Sequence, residues 1–303
     1  MANNVKRIYI GAICNRDLEV MEKIKTLLFK NYNITIINLL KKDTLTFDLD
    51  HFKKRLKKYP FSFLILKLTT HKSNTEIYEA LNLYAPNLPI LNSIKAVRTC
   101  ESRTETFELI KQSCRNLKIP QTFLTKQEAF RACKNGTKII TKLDDHNIPG
   151  LPKNDRILGI ANSTQEFTEL VNLYNEKKLF LQEYLGNFDI IYKIYVIGRW
   201  IVSITSHNRL DLNENLTPLE LIHIRVPVDK ELKRRVKRLG RKFNMSIFGV
   251  DYILTDNGPY IIDINDFPSF RSIPEGVGLI SDHIYNLISL REQFVKISIG
   301  AKS

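Results

Sequence analysis

Apolar and polar positions alternate with two different periods along this chain, and the switches between them mark its elements. Residues 5–14 (VKRIYIGAIC) form an apolar run of strand length. In 17–30, Leu18, Met21, Ile24, Leu27 and Leu28 recur at helical spacing, and 33–40 and 61–68 (FSFLILKL) are further apolar runs. Strand, helix and strand in this order predict a small open α/β lobe. Glu101 or Ser102 caps a predicted helix over 103–114. Short strands are predicted over 138–143 (KIITKL), 179–185, 189–197 and 201–206. In 229–243, Leu232, Val236, Leu239 and Phe243 give an amphipathic helix with a basic outer face, and 282–290 reads as a closing helix.

The stretch 247–270 (IFGVDYILTDNGPYIIDINDFPSF) carries the chemistry. Two apolar runs, 247–254 and 260–264, flank the turn signal Thr255-Asp256-Asn257-Gly258-Pro259, which predicts a β-hairpin. Asp251 lies in the first run, and Asp263 lies in the second, with Asn265 two positions on. Val250, Ile262 and Ile264 stand beside them. A carboxylate buried without a partner is costly, so an ion is expected to accompany the pair. Two carboxylates and an amide oxygen are hard ligands of the kind Mg²⁺ takes when it also holds phosphate. The competing reading is a surface hairpin whose acids face water. The apolar neighbours weigh against it.

Charge narrows the partners. Lys and Arg number 46 and Asp and Glu 32, a net charge of +14, which points to a polyanionic ligand. Two clusters, 53–58 and 233–242, hold much of the excess. No aromatics interleave with them, so they read as solvated faces and no nucleic-acid partner is expected. The apolar runs are too short to span a membrane, and Ile8–Cys14 lacks the flanks of a signal peptide. Cys14, Cys100, Cys114 and Cys133 have neither metal-type spacing nor the density of a disulfide framework, so a reducing, cytoplasmic setting is expected.

Three lysines interrupt strands: Lys67, Lys142 and Lys193. Lys67 lies near a strand's C-terminal end, where open α/β sheets collect ligands, but an edge lysine reaching water fits the pattern equally. Lys193 is centred in a strand and calls for an anion or a solvated face. Arg103 alone reads as a first-turn surface charge, although a cation is disfavoured at a helix N-terminus. Residues 144–156 form a polar loop with His146 in it, and an exposed loop histidine is one reading of that residue.

Several strings together resemble one family. DINDFP at 263–268, IYK at 191–193, KAVRTCESR at 95–103 and LKLT at 66–69 are similar to the inositol trisphosphate 5/6-kinases of the ATP-grasp superfamily. The resemblance covers about residues 5–290. It implies an α/β fold of three lobes: an N-terminal lobe over 1–92, a central lobe over 93–184 and a C-terminal lobe with the metal strands over 185–303. ATP would lie between the last two. It further implies ATP phosphates on Arg103 and Lys142, adenine on the backbone of Gln182, Glu183, Tyr184 and Leu185, and Mg²⁺ on Asp251, Asp263 and Asn265. An inositol phosphate would meet Arg16, Lys67, His146, Lys193, Arg209, Asn265 and Ser269, with Lys193 and Asp263 closest to the chemistry. The chain departs from the family pattern where Asn147 follows His146 in place of glycine and where Ser269 replaces a glycine. The loop after Lys142 would be mobile. The activity implied is an ATP- and Mg²⁺-dependent inositol phosphate kinase, the alternative a RimK-like carboxylate–amine ligase. A basic nucleic-acid or membrane-surface module is a third reading, against which the metal hairpin argues.

Overall fold

The computed structural model describes residues 7–71, 73–151, 156–207 and 222–300, with side chains up to residue 290. Arg209 therefore lies outside the described residues. Three four-stranded sheets organise the described residues. The first is parallel, in the order β2-β1-β3-β4, from β1 (Ile8–Cys14), β2 (Ile34–Asn38), β3 (Phe61–Lys67) and β4 (Ile90–Leu91). Helices α1 (Leu18–Tyr32), α2 (Leu49–Lys58) and α3 (Asn74–Tyr84) connect its strands. The second is antiparallel, in the order β5-β8-β6-β7, from β5 (Thr122–Phe123), β6 (Ile139–Leu143), β7 (Ile157–Ala161) and β8 (Leu179–Glu183), with α6 (Lys126–Lys134) and α7 (Thr164–Leu173). The third, β10-β9-β11-β12, is also antiparallel: β9 (Ile190–Ile197), β10 (Trp200–His207), β11 (Ile247–Thr255) and β12 (Gly258–Asp266).

Packing crosses the sequence blocks. Helices α4 (Ile94–Glu101) and α5 (Arg103–Ser113) follow the first sheet in sequence. Their apolar face, Ala96, Cys100, Phe107 and Ile110, joins the core of the third sheet with Val236 and Leu239 of α8 (Lys230–Phe243). The closing helix α9 (Gly276–Gly300) is longer than its apolar pattern predicts. Its Ile280, Ile284 and Ile288 pack into one core with Val20, Ile24 and Leu28 of α1. Each fully buried Ile or Leu contributes about 1.5–3 kcal/mol, so these shared cores set how the sheets sit around the space between them. All four cysteines are free and buried. Among the described residues, no helix is long and apolar enough to cross a membrane.

The hairpin forms as its turn signal predicts, with one irregularity. Asp251 and Asp263 are direct cross-strand partners, yet the register shifts after Asp251, so that Tyr252 faces Ile261. The extra residue, Ile262, is a β-bulge. It lets Ile261 and Ile264, three apart, both enter the core. Asp263 and Asn265, two apart, share the open face.

Candidate active site

A cavity of about 610 Å³ opens where the three sheets meet. The third sheet forms one wall with Lys193, Gly249, Asp251, Asp263 and Asn265. Lys142 at the end of β6, Arg103 at the start of α5 and the segment after β6, with His146, form another. The first sheet contributes Arg16, Asp17 and Thr69 from loops at the C-terminal ends of its strands. This is where a parallel sheet presents its ligands. Pro268, Ser269 and Arg271 close the rim. Gly249 is small for a reason: a Cβ there would stand 3.1 Å from the Pro268 ring.

The two acids have internal cationic partners. Lys193 lies opposite Asp251 across β9 and β11 in register, with Nζ 3.0 Å from Oδ2. Asp251 raises the Lys193 pKa above its ordinary value, against the effect of burial. A lysine centred in a strand is thus explained in part by a carboxylate on the neighbouring strand. Asp263 Oδ2 is 3.1 Å from His146 Nε2, and Oδ1 is 3.8 Å from Arg103 Nε. Burial works to raise the Asp263 pKa, but His146, Arg103 and Lys142 outweigh it and hold the carboxyl well below its usual range. His146 is 2% exposed, which rules out the exposed-histidine reading. Its backbone is fixed too: N–H donates to Glu101 O at 2.8 Å, and the carbonyl accepts from the Thr70 hydroxyl.

Arg103 and Lys142 are buried cations with little to hold them. Arg103, 7% exposed, donates to the carbonyls of Leu143 (2.6 Å) and Asp145 (3.2 Å), and its Nε has no hydrogen-bond partner. Lys142, 9% exposed, donates to Gln182 Oε1 at 3.0 Å and approaches the Ile262 carbonyl at 3.5 Å. Burial, the largest influence, lowers its pKa to about 8. Asp144, read from sequence only as part of a polar loop, anchors the start of α5. Its carboxylate accepts from Thr104 N at 2.7 Å and Ser102 Oγ at 2.7 Å and pairs with Lys178 at 2.6 Å. The first residues after β6 are therefore tied down on both sides of His146.

Lys67 does not line the cavity. It is fully buried, and neither an edge lysine nor a cation facing the cleft. Its ammonium pairs with Asp17 at 3.1 Å and donates to the carbonyls of Phe267 and Pro268. Burial lowers its pKa to about 8 despite Asp17. Arg16 lines the cavity but also reaches Asp266, donating to its backbone oxygen at 2.6 Å and its Oδ2 at 3.0 Å. Arg271 returns a contact to Asp17 at 3.0 Å. These pairs stitch the loop after β1 to the loop after β12. That second loop is strained: Phe267 and Phe270 sit at φ 44° and 57°, and both rings are buried. A bulky side chain in the left-handed region costs about 1–2 kcal/mol, which packing and the Lys67 bonds offset.

The strand-end residues Gln182, Glu183, Tyr184 and Leu185 stand apart from this cavity. The N–H groups of Glu183 and Tyr184 already donate to the carbonyls of Gln121 and Lys138, each at 2.8 Å. Gln182 is buried, with Oε1 on Lys142 and Nε2 unpartnered. Two cavity cations escaped the sequence reading, Arg156 and Arg271. Arg156 ends the polar loop, its Nε buried without a hydrogen-bond partner. No sequence signal separates it from other loop charges. Asn92 was missed as well: its side chain bonds Ile247 O at 2.6 Å and Ser246 N at 3.0 Å, fastening the first sheet to β11.

No family model matches the sequence. An inositol-tetrakisphosphate 1-kinase of Xenopus laevis is 22% identical over 247 residues, 69% of this chain and 60% of that protein. The match thus spans less than two thirds of the frog protein. Its namesake from Danio rerio is 24% identical over 319 residues, 88% of this chain and 77% of that protein. Among solved structures, D-alanine–D-alanine ligase from Bacillus anthracis complexed with ATP superposes with a TM-score of 0.64, covering 95% of this chain and 99% of that one at 13% identity. The chain therefore has the ATP-grasp fold, and its sequence is similar to those of inositol-tetrakisphosphate kinases.

Proposed function

We propose that this protein is a kinase that transfers the γ-phosphoryl group of ATP to a hydroxyl of an inositol polyphosphate. The observation that carries this reading is the charge of the cavity. Six cations, Arg16, Arg103, Lys142, Arg156, Lys193 and Arg271, face three carboxylates, Asp17, Asp251 and Asp263. A pocket with excess positive charge favours a ligand with many negative charges. The names of the sequence relatives support the same substrate class.

Asp251, Asp263 and Asn265 fit a hard divalent cation, since their oxygens share one face of the hairpin. Mg²⁺, when bound, supplies charge neutralisation at the phosphates. Arg103 and Lys142 bind the ATP phosphates: they are buried cations without close carboxylate hydrogen bonds. Adenine is assigned to the backbone of the strand end Gln182–Leu185, at its Leu185 end, since the N–H groups of Glu183 and Tyr184 are already taken. Lys193 orients an acceptor phosphate beside the hydroxyl, with His146, Arg16, Asn265 and Ser269 around it and Arg209 as a further candidate. Lys67 acts as a positioning residue, through the carbonyls of Phe267 and Pro268 next to Ser269. The acceptor oxygen forms its bond to phosphorus as the bond to ADP breaks, its proton passing to an oxygen of the transferred phosphoryl group, and the residues' work is alignment and charge.

A carboxylate–amine ligase is the second reading, favoured by the fold it shares with the Bacillus ligase. Fold does not decide between them. The test is an ATP-consumption screen of inositol polyphosphates against carboxylate–amine pairs, with products identified by mass. A phosphorylated inositol supports the kinase. A joined amide with no phosphorylated inositol overturns it.

A further inference from the structure

The basic helix α8 forms a second cavity, of about 730 Å³, with the end of α5 and the segment after it, residues 112–117. It shares no lining residue with the cleft. Six cations line it: Arg115, Arg234, Arg235, Arg238, Arg241 and Lys242. No carboxylate and no aromatic residue does. We infer that this groove is a second anion site, built for a compact ligand carrying several clustered phosphate groups.

The charge of α8 is the first reason. Eight of its fourteen residues are Lys or Arg, against one carboxylate, Glu231. Arg234, Arg238 and Arg241 follow one another at four and three residues, as do Arg238 and Lys242 at four. Like charges at these spacings destabilise a helix. Glu231 answers only Arg235, at 2.5 Å, and Arg234, at 3.9 Å. Arg115, Arg238, Arg241 and Lys242 have no carboxylate partner among the described residues. The geometry is the second reason. Arg235 crosses from α8 to donate to the Asn116 carbonyl at 2.5 Å, which fixes the helix against the opposite wall, and its Nε is buried without a hydrogen-bond partner. Arg115 stands on that opposite wall. The cations thus converge on a concavity of ordinary ligand size instead of spreading over a convex helix face.

The lining also selects the ligand. Single-stranded nucleic acid binds through aromatic stacking platforms, which this groove lacks. No large apolar side chain is exposed between residues 110 and 118 or 230 and 245 to enter a bilayer. Convergent guanidinium groups suit phosphate oxygens, which they bind in a fork. The phosphates are those of a free polyphosphorylated metabolite or of a lipid headgroup.

The test uses the full chain and the triple variant Arg115→Gln, Arg238→Gln, Arg241→Gln, which keeps good helix formers on α8. Inositol hexakisphosphate is the soluble probe. Vesicles of phosphatidylcholine with phosphatidylinositol 4,5-bisphosphate test the lipid source, and a single-stranded RNA oligonucleotide tests nucleic acid. Hydrogen exchange locates binding independently of the cleft. On wild type, the soluble probe protects 113–117 and 230–243. The triple variant loses that protection and weakens groove binding by about thirtyfold or more, while turnover at the cleft is unchanged. Vesicle binding lost in the same variant assigns the phosphates to a lipid. Arg238→Lys, which retains charge, keeps most of the affinity and separates charge loss from misfolding. The proposal is overturned if no probe protects these segments, if the triple variant binds as wild type does, or if RNA binds the groove more tightly than either phosphate source.

Discussion

Replacing Lys142 with methionine separates the cost of this lysine to the fold from its service to a ligand. Lys142 is buried at the end of β6. Burial first, and Arg103, lower its pKa from 10.5 to about 8, against the opposing pull of Asp263 and Asp251. Below that value the lysine is charged in both the folded and the unfolded chain, and the folded state carries the whole penalty, roughly 3 kcal/mol. Between about 8 and 10.5 the unfolded chain binds the extra proton, so the penalty is relieved as pH rises. Methionine has similar length and no charge. It leaves Gln182 Oε1 without its donor at 3.0 Å, a loss of about 1 kcal/mol. At neutral pH the ligand-free variant is therefore more stable by about 2 kcal/mol, which raises Tm by about 3 °C in a chain of 303 residues. Wild type melts higher when ATP and Mg²⁺ are added, because they bind only the folded chain. The variant's nucleotide shift shrinks, and kcat/KM for ATP falls by about tenfold or more. Thermal melts of both proteins, with and without nucleotide, read all of this. A variant that melts below wild type, or that keeps the full nucleotide shift, refutes the reasoning.

Asp263→Asn removes the carboxylate shared by His146, Arg103 and the proposed Mg²⁺, and turnover drops by about a hundredfold or more while the circular dichroism spectrum is unchanged. Lys193→Ala raises KM for the inositol phosphate more than KM for ATP, since one charge-assisted contact of about 1.5–3 kcal/mol is lost; equal changes in both constants would count against an acceptor role. Lys67→Met strips the donor from Asp17, Phe267 and Pro268, a loss of about 3–5 kcal/mol partly offset by relief of the burial penalty that lowers the Lys67 pKa to about 8, so chemical denaturation shows a net loss of no more than about 2 kcal/mol, and a variant more stable than wild type contradicts its role as a tie between loops. His283, whose pKa burial lowers from 6.5 to about 4, favours a neutral ring in the fold. The unfolded chain binds the extra proton between those values, so stability falls by up to about 3 kcal/mol as pH drops from 6.5 toward 4, and His283→Gln flattens that slope in pH-dependent unfolding.

Local pattern carried much of this molecule, because periodicity and turn chemistry act over a few residues. The first three strands of the first sheet, the cap at Ser102, the amphipathic α8 and the hairpin around Asp256-Asn257 are legible that way. The gathering of Asp251 with Asp263 and Asn265 on one face is not: paired strictly from the turn, Asp251 would face Ile262, and only the bulge sets it opposite Asp263. What the chain order hides is pairing across distance. Lys67 and Lys193 look alike in sequence, as cations inside strands. Tertiary structure gives Lys193 a place on the cleft beside Asp251, and spends Lys67 on Asp17 and two carbonyls about 200 residues away. Asp144 is an undistinguished loop acid until α5 arrives to be capped by it. Ile262 reads as a core residue by strict alternation, and a bulge sends Ile261 inward in its place. The bulge, the ion pairs and the groove beside α8 depend on which surfaces meet, and a charge acquires its role only from the carboxylate, carbonyl or empty space that the fold sets opposite it.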